Sequence, residues 1–301
     1  MKIVKYIIFL IFILTFSIYG QKYSKCWKNI DYAGDSMIYH QLDIYLPKSS
    51  KQKYPVVIVI YGSAWLANNM KESVMPFIGN YLLEQGFAIV SPNHRSSKDA
   101  KFPAQIHDIK AVIRFVRANA DKYMLDTTFI GITGFSSGGH LAALAGTTWN
   151  NKKYIDGTYK LDLEGKIGQY LNFSSRVNAV VDWFGPIDLL SIDSCRNKKM
   201  FDENNAPEVL LIGKKIAEDK KSYILANPIT YIDIYDPPFL IIHGDNDDLV
   251  PYCQSELLYN ALKKAGVPVN YILVPGAGHG NGIFIEKYLN LMNEFFMNYL
   301  K

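Results

Sequence analysis

The sequence predicts an α/β fold with a mostly parallel central sheet and helices on both of its faces. From about Val56 onward, short apolar runs of strand length alternate with longer helix-like segments. This alternation is typical of parallel strands joined by helical crossovers. The glycines and the polar residues that could take part in catalysis or binding follow directly after the apolar runs. That is the carboxyl edge of the sheet, where such folds bind ligands.

Composition favours one globular domain. The chain has 301 residues, of which 49% are hydrophobic and 20% charged, enough for a substantial core. No composition break, repeat or linker divides residues 21–301, so we expect a single domain. The net charge of +4 is modest and the basic residues are scattered. Nucleic-acid binding requires a clustered basic surface, so we exclude a nucleic-acid partner.

The first twenty residues have the three-part layout of a signal peptide. Lys2 and Lys5 precede an apolar run from Tyr6 to Phe16, and the small residue Gly20 comes just before polar sequence. We therefore expect residues 1–20 to direct export and to be removed, which makes the mature protein secreted or periplasmic without stable membrane association. The run is short for a membrane span. An uncleaved N-terminal anchor is the alternative.

Cysteine usage is sparse. Cys26, Cys195 and Cys253 are the three cysteines, so at most one disulfide forms even in an oxidising compartment. We interpret all three as ordinary small buried or surface residues. No Cys/His spacing is typical of zinc, and we expect no metal or cofactor.

The strands before position 100 follow from apolar patterning. Residues 41–46 alternate polar and apolar, as a half-exposed strand does, and residues 55–60 form a continuous apolar run, as in a strand covered on both faces. Residues 87–90 predict the next strand. A helix is expected to open at residues 102–105, with proline in its first turn.

A sharp strand-to-helix turn follows. Residues 129–133 predict a buried strand, residues 141–145 predict a helix of small residues, and Gly134, Ser136 and Gly138 lie between them. This Gly-x-Ser-x-Gly arrangement is typical of a nucleophile elbow, in which a strained serine exposes its hydroxyl. Glycines are needed because a Cβ would collide with neighbouring backbone in so sharp a turn. The N-terminus of the helix also presents free N–H groups to developing negative charge.

The second half of the chain continues the alternation. Residues 147–175 are polar and predict an insertion, and residues 187–227 are irregular and mostly helical in pattern. We expect residues 187–227 to form a cap-like excursion over the site that supplies substrate contacts. The remaining expected elements are strands at 177–182, 237–242 and 269–274, a helix at 252–265 and a closing C-terminal helix.

A serine hydroxyl is a weak nucleophile and needs a base and an orienting carboxylate. The order serine, aspartate, histidine is the one expected with a nucleophile elbow. His279 lies in a glycine-rich loop after the final strand, so we predict it as the base for Ser136. His140 and His243 are interpreted as core histidines.

The residues alone leave three candidates for the orienting acid. Asp245, Asp247 and Asp248 lie in one loop after the strand at 237–242. Any of the three stands in the right order along the chain.

From about residue 40 the chain resembles serine esterases of the α/β-hydrolase superfamily, within the branch that holds bifunctional feruloyl/acetyl-xylan esterases and hormone-sensitive-lipase-like enzymes. Four motifs carry the resemblance: GFSSGGH at 134–140, FPAQIHD at 102–108, HGDNDDLVP at 243–251 and PGAGHG at 275–280. It implies an α/β-hydrolase fold. In the HGxxDxxVP pattern the acid is Asp247, with Asp245 as the fallback.

The resemblance also implies an oxyanion hole, in which one loop departs from the family pattern. The usual loop reads His-Gly-Gly-x-Trp, and here it reads YGSAW at 61–65. A serine at 63 can donate its N–H only if its backbone conformation needs no glycine. The implied donors are Gly62, Ser63 and Ser137, with Ala64 next in line, and Trp65 is expected to line the substrate site.

The predicted function is that of an exported serine esterase that works through an acyl-enzyme. The resemblance implies acetyl or feruloyl esters on plant polysaccharide as substrates, so the partner is a small-molecule or polysaccharide-linked ester. One alternative is a peptidase of the prolyl-oligopeptidase-like type. It is disfavoured because roughly 20 residues of mature chain before the first strand leave no room for a propeller domain. Another alternative, motivated by the altered loop, is a non-catalytic binding protein on a hydrolase scaffold.

Overall fold

The computed structural model describes residues 22–150, 153–157, 159–196 and 204–300. The predicted signal peptide, residues 1–20, lies outside the described residues. The strands are β1 (Lys25–Asp31), β2 (Gln41–Leu46), β3 (Tyr54–Ile60), β4 (Ala88–Pro92), β5 (Leu125–Phe135), β6 (Lys153–Asp156), β7 (Tyr159–Asp162), β8 (Ala179–Trp183), β9 (Phe239–Gly244) and β10 (Val269–Val274). The α-helices are α1 (Asn80–Glu84), α2 (Ala104–Ala118), α3 (Ser137–Thr147), α4 (Ile192–Arg196), α5 (Pro207–Ile212), α6 (Ile216–Ala226), α7 (Cys253–Ala265) and α8 (Glu286–Tyr299).

Eight of these strands form one sheet in the order β1-β2-β4-β3-β5-β8-β9-β10. β2 pairs antiparallel with β1 and with β4, and every pairing from β4 to β10 is parallel. The predicted α/β-hydrolase architecture is therefore confirmed. The parallel strands end at one edge, where the loops after β3, β5, β9 and β10 meet.

Helices cover the sheet on both faces because its central strands are apolar on both sides. In β3, Val56 and Ile58 pack into one core cluster with α2, α3 and α7, whereas Val57 and Val59 pack into a second cluster with α8. Successive side chains of a strand point to opposite faces, so an unbroken apolar run supplies both cores. All seven residues of β3 are buried.

Several details differ from the sequence-based expectations. Helix α2 begins at Ala104, with Pro103 as its N-cap residue, so the proline precedes the first turn. The polar insertion contains the β6–β7 hairpin. β1 was not predicted, because it lies at the sheet edge with no fully buried residue and no apolar alternation. Within the expected excursion at 187–227, the described residues form α4, α5 and α6, while residues 197–203 lie outside the described part.

Among the described helices, none combines the length and the apolar character needed to cross a bilayer.

A disulfide joins Cys195, at the end of the short helix α4, to Cys253, the first residue of α7. Cys26 is a free thiol. The interpretation of all three cysteines as ordinary small residues is therefore wrong for Cys195 and Cys253, which form the one bridge that three cysteines allow. The pairing is between chain positions separated by 58 residues, so it depends on tertiary placement that spacing alone does not reveal. The bridge ties the segment after β8 to the helix that follows the aspartate-rich loop.

We expect the double variant Cys195→Ser/Cys253→Ser to lose about 2–4 kcal/mol of unfolding free energy, because the unfolded chain regains the entropy of an open loop. Urea denaturation of the oxidised protein measures this loss. Cys26→Ser is the matched control, since it removes a thiol without opening a loop, and we expect it to change stability little. Equal midpoints for the double variant and wild type would contradict a stabilising bridge.

Candidate active site

Ser136 occupies the turn between β5 and α3 in a conformation that side chains rarely adopt. Its φ is 55° and its ψ is −127°, which is strained for a residue with a Cβ. Its N–H donates to the Trp183 carbonyl at 2.9 Å, which fixes the turn against the neighbouring strand. The turn tolerates no side chain on either glycine. A Cβ at Gly134 would lie 2.4 Å from the Gly138 carbonyl oxygen, and one at Gly138 would lie 2.3 Å from that of Ile60.

The structure brings the three predicted triad residues together. The Nε2 atom of His279 lies 3.0 Å from the Ser136 hydroxyl oxygen. On the other side of the ring, Nδ1 lies 2.8 Å from Oδ2 of Asp247. Both distances are those of hydrogen bonds, and nucleophile and base within such reach, with the base oriented by a third group, form the geometry expected of an activated serine.

Asp247 is held by donors on both of its carboxylate oxygens. Oδ1 accepts the N–H groups of Leu249 and Val250, each at 2.9 Å, while Oδ2 faces His279. Burial raises the pKa of this carboxyl, but hydrogen bonds from His243, His279 and the Val250 N–H outweigh burial and lower the pKa to about 2. Asp247 is therefore ionised at any pH near neutrality and suited to orient an imidazole.

The neighbouring aspartate Asp245 is used differently. It is exposed, and its Oδ1 accepts the Gly276 N–H at 2.6 Å. This bond ties together the loops after β9 and β10. Of the aspartates that the sequence left open, Asp247 is the one that contacts His279.

His243 is both a core histidine and a neighbour of the candidate acid. Its Nδ1 lies 2.7 Å from the Ser255 hydroxyl, and its Nε2 lies 2.8 Å from the Val250 carbonyl oxygen. The same Nε2 is 3.3 Å from Oδ2 of Asp247. The sequence-based interpretation missed this second contact. The signal for it is the spacing of four residues between the histidine and the aspartate of the 243–251 motif.

The loop after β3 approaches the elbow closely. A Cβ at Gly62 would lie 2.6 Å from the Phe135 carbonyl oxygen, so glycine is required there for space. Ser63 has an ordinary negative φ, whereas Ala64 and Trp65 have φ values of 53° and 58°. The strain of this loop therefore falls on the two residues after Ser63.

The candidate oxyanion donors differ in how far they are already engaged. The Ser63 N–H donates to the Ser137 Oγ at 2.8 Å, so it is not free to point at a substrate. Ser137 is the first residue of α3, where backbone N–H groups have no intrahelical partner. Within the described residues the Ala64 N–H also has no hydrogen-bond acceptor. The donor roles of Gly62, Ser63 and Ser137 stay predictions.

A cavity of about 490 Å³ lies over Ser136 and His279. One wall of the cavity is aromatic. In this wall the ring of Phe184 packs edge-on against the imidazole of His279, with 4.8 Å between ring centroids. The phenylalanines of this wall are Phe77, Phe135, Phe184 and Phe284. The predicted lining residue Trp65 also borders the cavity, although its side chain is mostly buried. The phenylalanines were not identified from sequence because they come from four separate segments.

Segments beyond β8 close the other side of the cavity. Ile192 of the disulfide-bonded helix α4 and Pro207 and Glu208 of α5 contribute to this wall. They belong to the excursion expected to supply substrate contacts. Glu208 is a buried carboxyl group in a largely apolar lining.

Among the described residues, no group of three or more His, Cys, Asp or Glu side chains is arranged to hold a metal ion. Of the described residues that border the cavity, those with polar hydroxyl, carboxyl or imidazole side chains are Ser63, Ser136, Ser137, Glu208 and His279.

Asp182 lies directly behind the elbow, at the end of β8. Its Oδ1 accepts the Gly185 N–H at 3.0 Å, and its Oδ2 is buried without a partner in the described part of the chain. A Cβ at Gly139 would lie only 2.2 Å from Oδ1, so α3 packs onto this carboxyl. Burial raises the pKa of Asp182 to about 7 despite the Gly185 hydrogen bond.

This raised pKa predicts a pH-dependent stability. The carboxyl has a pKa of about 3.9 in the unfolded chain and of about 7 in the fold, so the native state binds the proton more tightly. The contribution of Asp182 to the free energy of unfolding is therefore fully present below about pH 4. It is lost as the pH rises through about 7. Relative to wild type, Asp182→Asn should gain up to about 4 kcal/mol in unfolding free energy between about pH 4 and pH 8. Urea denaturation at both pH values measures the gain. A stability difference that is equal at the two pH values would contradict a buried, protonated Asp182.

The profile of the BD-FAE family matches residues 42–262. Among curated proteins, the chain is similar to a probable carboxylic ester hydrolase, LipM, of Mycobacterium tuberculosis. The two are 31% identical over 226 residues, which cover 75% of this chain and 49% of LipM. The chain spans about half the length of the curated relatives it matches.

Two solved structures are similar over almost the whole chain. One is described as a truncated form of a carbohydrate esterase from gut microbiota. It has a TM-score of 0.88 and 49% identity, covering 93% of this chain and 98% of that one. The other is a bifunctional GH43-CE protein of Bacteroides eggerthii, with a TM-score of 0.86 and 53% identity, covering 92% of this chain and 38% of that one.

Proposed function

The chain belongs to the BD-FAE family, and from this membership we propose that it is an exported serine esterase that hydrolyses acetyl or feruloyl esters on plant polysaccharide. The observation that supports the proposal most is the hydrogen-bonded series Ser136–His279–Asp247 at the base of the cavity. Such a series converts a weak alcohol into a nucleophile for acyl transfer.

The proposed reaction has two steps. Ser136 Oγ bonds to the ester carbonyl carbon while His279 Nε2 takes the hydroxyl proton, and the carbonyl electron pair moves onto oxygen. Backbone N–H groups of Gly62, Ala64 and Ser137 stabilise this oxyanion. The alcohol leaves with the proton from His279. Water, deprotonated by His279, then attacks the acyl-enzyme and releases the acid and free Ser136.

Asp247 supports both steps by holding the imidazole. Its Oδ2 accepts the Nδ1 proton of His279, which leaves Nε2 unprotonated and facing Ser136. It also stabilises the imidazolium that forms when the proton is taken. The ionised state that this requires is favoured by the low pKa of Asp247.

The cavity favours an ester with a flat aromatic acyl group. Its volume of about 490 Å³ is within the range of small-molecule sites, and Phe77 at its mouth remains 45% exposed. Phe77 and Phe284 already contact each other, with 5.3 Å between ring centroids, so a feruloyl ring would pack against the exposed side of this pair. Offset and edge-on ring contacts of that kind stabilise aromatic pairs. The carbohydrate esterase from gut microbiota, at 49% identity, supports a sugar as the alcohol.

Export is proposed from the N-terminal layout of two lysines followed by an apolar run. The Cys195–Cys253 disulfide supports it, because disulfides persist mainly in oxidising compartments. Comparing cell-associated and exported fractions of the tagged full-length chain, with N-terminal sequencing of the exported form, tests this proposal. Retention of the first twenty residues would favour the anchor instead.

Activity is tested with p-nitrophenyl acetate, methyl ferulate, acetylated xylo-oligosaccharides and an aminoacyl arylamide as the peptidase control. We expect hydrolysis of the esters and no cleavage of the arylamide. A fluorophosphonate probe should label the protein once. A folded protein that hydrolyses none of the esters and is never labelled would instead support a binding protein on this scaffold.

A further inference from the structure

A hydrogen bond joins the two segments that flank the proposed oxyanion site. The backbone N–H of Ser63, in the loop after β3, donates to the side-chain Oγ of Ser137, the residue after the nucleophile, at 2.8 Å. Ser137 is 1% exposed, and both serines border the cavity above Ser136. Ser137 therefore contacts the loop after β3 through its hydroxyl and also borders the cavity in which an ester carbonyl would react.

The Ser137 hydroxyl has an unused donor. A serine hydroxyl has one proton and two lone pairs, and here one lone pair accepts the Ser63 N–H. Among the described residues, no acceptor takes the Ser137 hydroxyl proton. A buried donor without an acceptor costs free energy. The ester carbonyl oxygen, which becomes negatively charged during the reaction, would supply the missing acceptor.

We propose that the Ser137 side-chain O–H is itself a donor of the oxyanion hole, and that the Ser63 N–H acts through it. This inference rests on the proposed esterase function. Accepting the Ser63 N–H polarises the hydroxyl, because hydrogen bonds in series strengthen one another in a low-dielectric site. The O–H, together with the Ser137 N–H, then meets the negative charge that develops on the carbonyl oxygen.

The proposal also accounts for the altered loop. Position 63 is a glycine in the His-Gly-Gly-x-Trp pattern that this loop resembles, and it is a serine in this chain. In this chain the Ser63 N–H has a side-chain acceptor and a backbone conformation that needs no glycine. The Ser63 N–H therefore acts on the substrate indirectly, by polarising the Ser137 hydroxyl that donates to the oxyanion.

The first test is Ser137→Ala, which removes the hydroxyl and keeps the backbone N–H. We expect kcat for p-nitrophenyl acetate to fall about 10²-fold, the lower end for loss of an oxyanion donor, while KM changes less than about twofold because the donor acts mainly on the transition state. Ser91→Ala is the matched control. Ser91 is also buried, and its hydroxyl donates to the Lys71 carbonyl oxygen away from the cavity. An unchanged or higher kcat in Ser137→Ala would overturn the proposal, because it would show that the hydroxyl only occupies the Ser63 N–H.

The second test separates a donor from a merely structural serine. The rate on p-nitrophenyl acetate is compared with that on the corresponding thionoester, whose carbonyl sulfur accepts hydrogen bonds more weakly than oxygen. If the Ser137 O–H contacts the oxyanion, its loss harms the oxygen ester more than the thionoester. The oxygen-to-sulfur rate ratio should therefore shrink about tenfold in Ser137→Ala, the rate equivalent of one hydrogen bond of ordinary strength. A lower kcat with the ratio unchanged would assign Ser137 a structural role and overturn the proposal.

If Ser137→Ala does not fold, Ser137→Cys keeps a side chain of similar shape with a weak S–H donor and should show the same reduced ratio. An unchanged ratio in that variant would contradict the proposal as well. Wild-type protein is measured alongside. Absence of ester hydrolysis by wild type would refute the esterase function itself, whereas an active wild type with an unaffected ratio in the variants refutes the role of Ser137 alone.

Discussion

Ser136→Ala is expected to reduce kcat on p-nitrophenyl acetate by about 10⁴- to 10⁶-fold, the range seen when a serine nucleophile is removed. No other hydroxyl takes its place. The Ser137 Oγ accepts the Ser63 N–H, whereas Ser136 Oγ lies 3.0 Å from His279 Nε2. The residual rate would come from substrate binding and the oxyanion donors acting on water. Initial rates at saturating substrate, with labelling by a fluorophosphonate, measure the change.

The substitution should leave the fold intact. Alanine retains the Cβ, so the strained φ of 55° at this position costs about the same in both proteins, and the Trp183 carbonyl still accepts the N–H. An unfolding free energy within about 1 kcal/mol of wild type is expected for a change of this kind. Full activity of Ser136→Ala, or undiminished labelling, would remove Ser136 from the nucleophile role.

The parts of the fold that could be predicted are those with local signals. The unbroken apolar run of β3 predicted that this strand is buried on both faces. The glycines around Ser136 predicted the sharp turn between β5 and α3. β1 was missed because its residues are only partly buried and its stability comes from pairing with β2. The β6–β7 hairpin was missed for a similar reason, since its described side chains are partly or fully exposed.

The site divides in the same way. Ser136 and His279 were singled out because each lies in a glycine-rich turn at a strand end, and the motif spacing favoured Asp247. Contacts between segments distant along the chain had no local signal. The bond from Ser63 to Ser137 spans 74 positions, and the contact of Phe184 with His279 depends on how two loops pack. The Cys195–Cys253 pair was undecidable because three cysteines allow three pairings.

Asp182 shows a further limit. The apolar run before Asp182 predicted strand β8, but nothing in the sequence indicated that the Asp182 carboxyl would have a raised pKa. The raised pKa arises because α3 approaches so closely that water is excluded. With a pKa of about 7, this carboxyl is mostly protonated below neutral pH. In that state it can pack against α3 without a counter-charge, because a neutral group loses less hydration on burial.

Asp247→Asn is expected to lower kcat about 10⁴-fold, because an amide in place of the carboxylate favours the wrong imidazole tautomer. An Asn oxygen can still accept the Leu249 and Val250 N–H groups, which now bond to Oδ1. The amide nitrogen then faces His279 Nδ1 and donates to it. The Nε2 proton is left on the side of Ser136, where an unprotonated nitrogen is needed. Rates on p-nitrophenyl acetate, with fluorophosphonate labelling, measure the loss.

Asp245→Asn is the matched control, since it makes the same chemical change two residues away in the same loop. The Gly276 N–H that Asp245 accepts can be accepted equally by an amide oxygen, so we expect kcat within about twofold of wild type, as for a surface substitution away from the reacting groups. The two carboxyls were both compatible with the sequence, and they differ in whether they contact the imidazole. If Asp245→Asn lost as much activity as Asp247→Asn, the loop as a whole would be the requirement. If Asp247→Asn retained full activity, His279 would need no orienting carboxylate, and the low pKa of Asp247 would reflect packing of this loop alone.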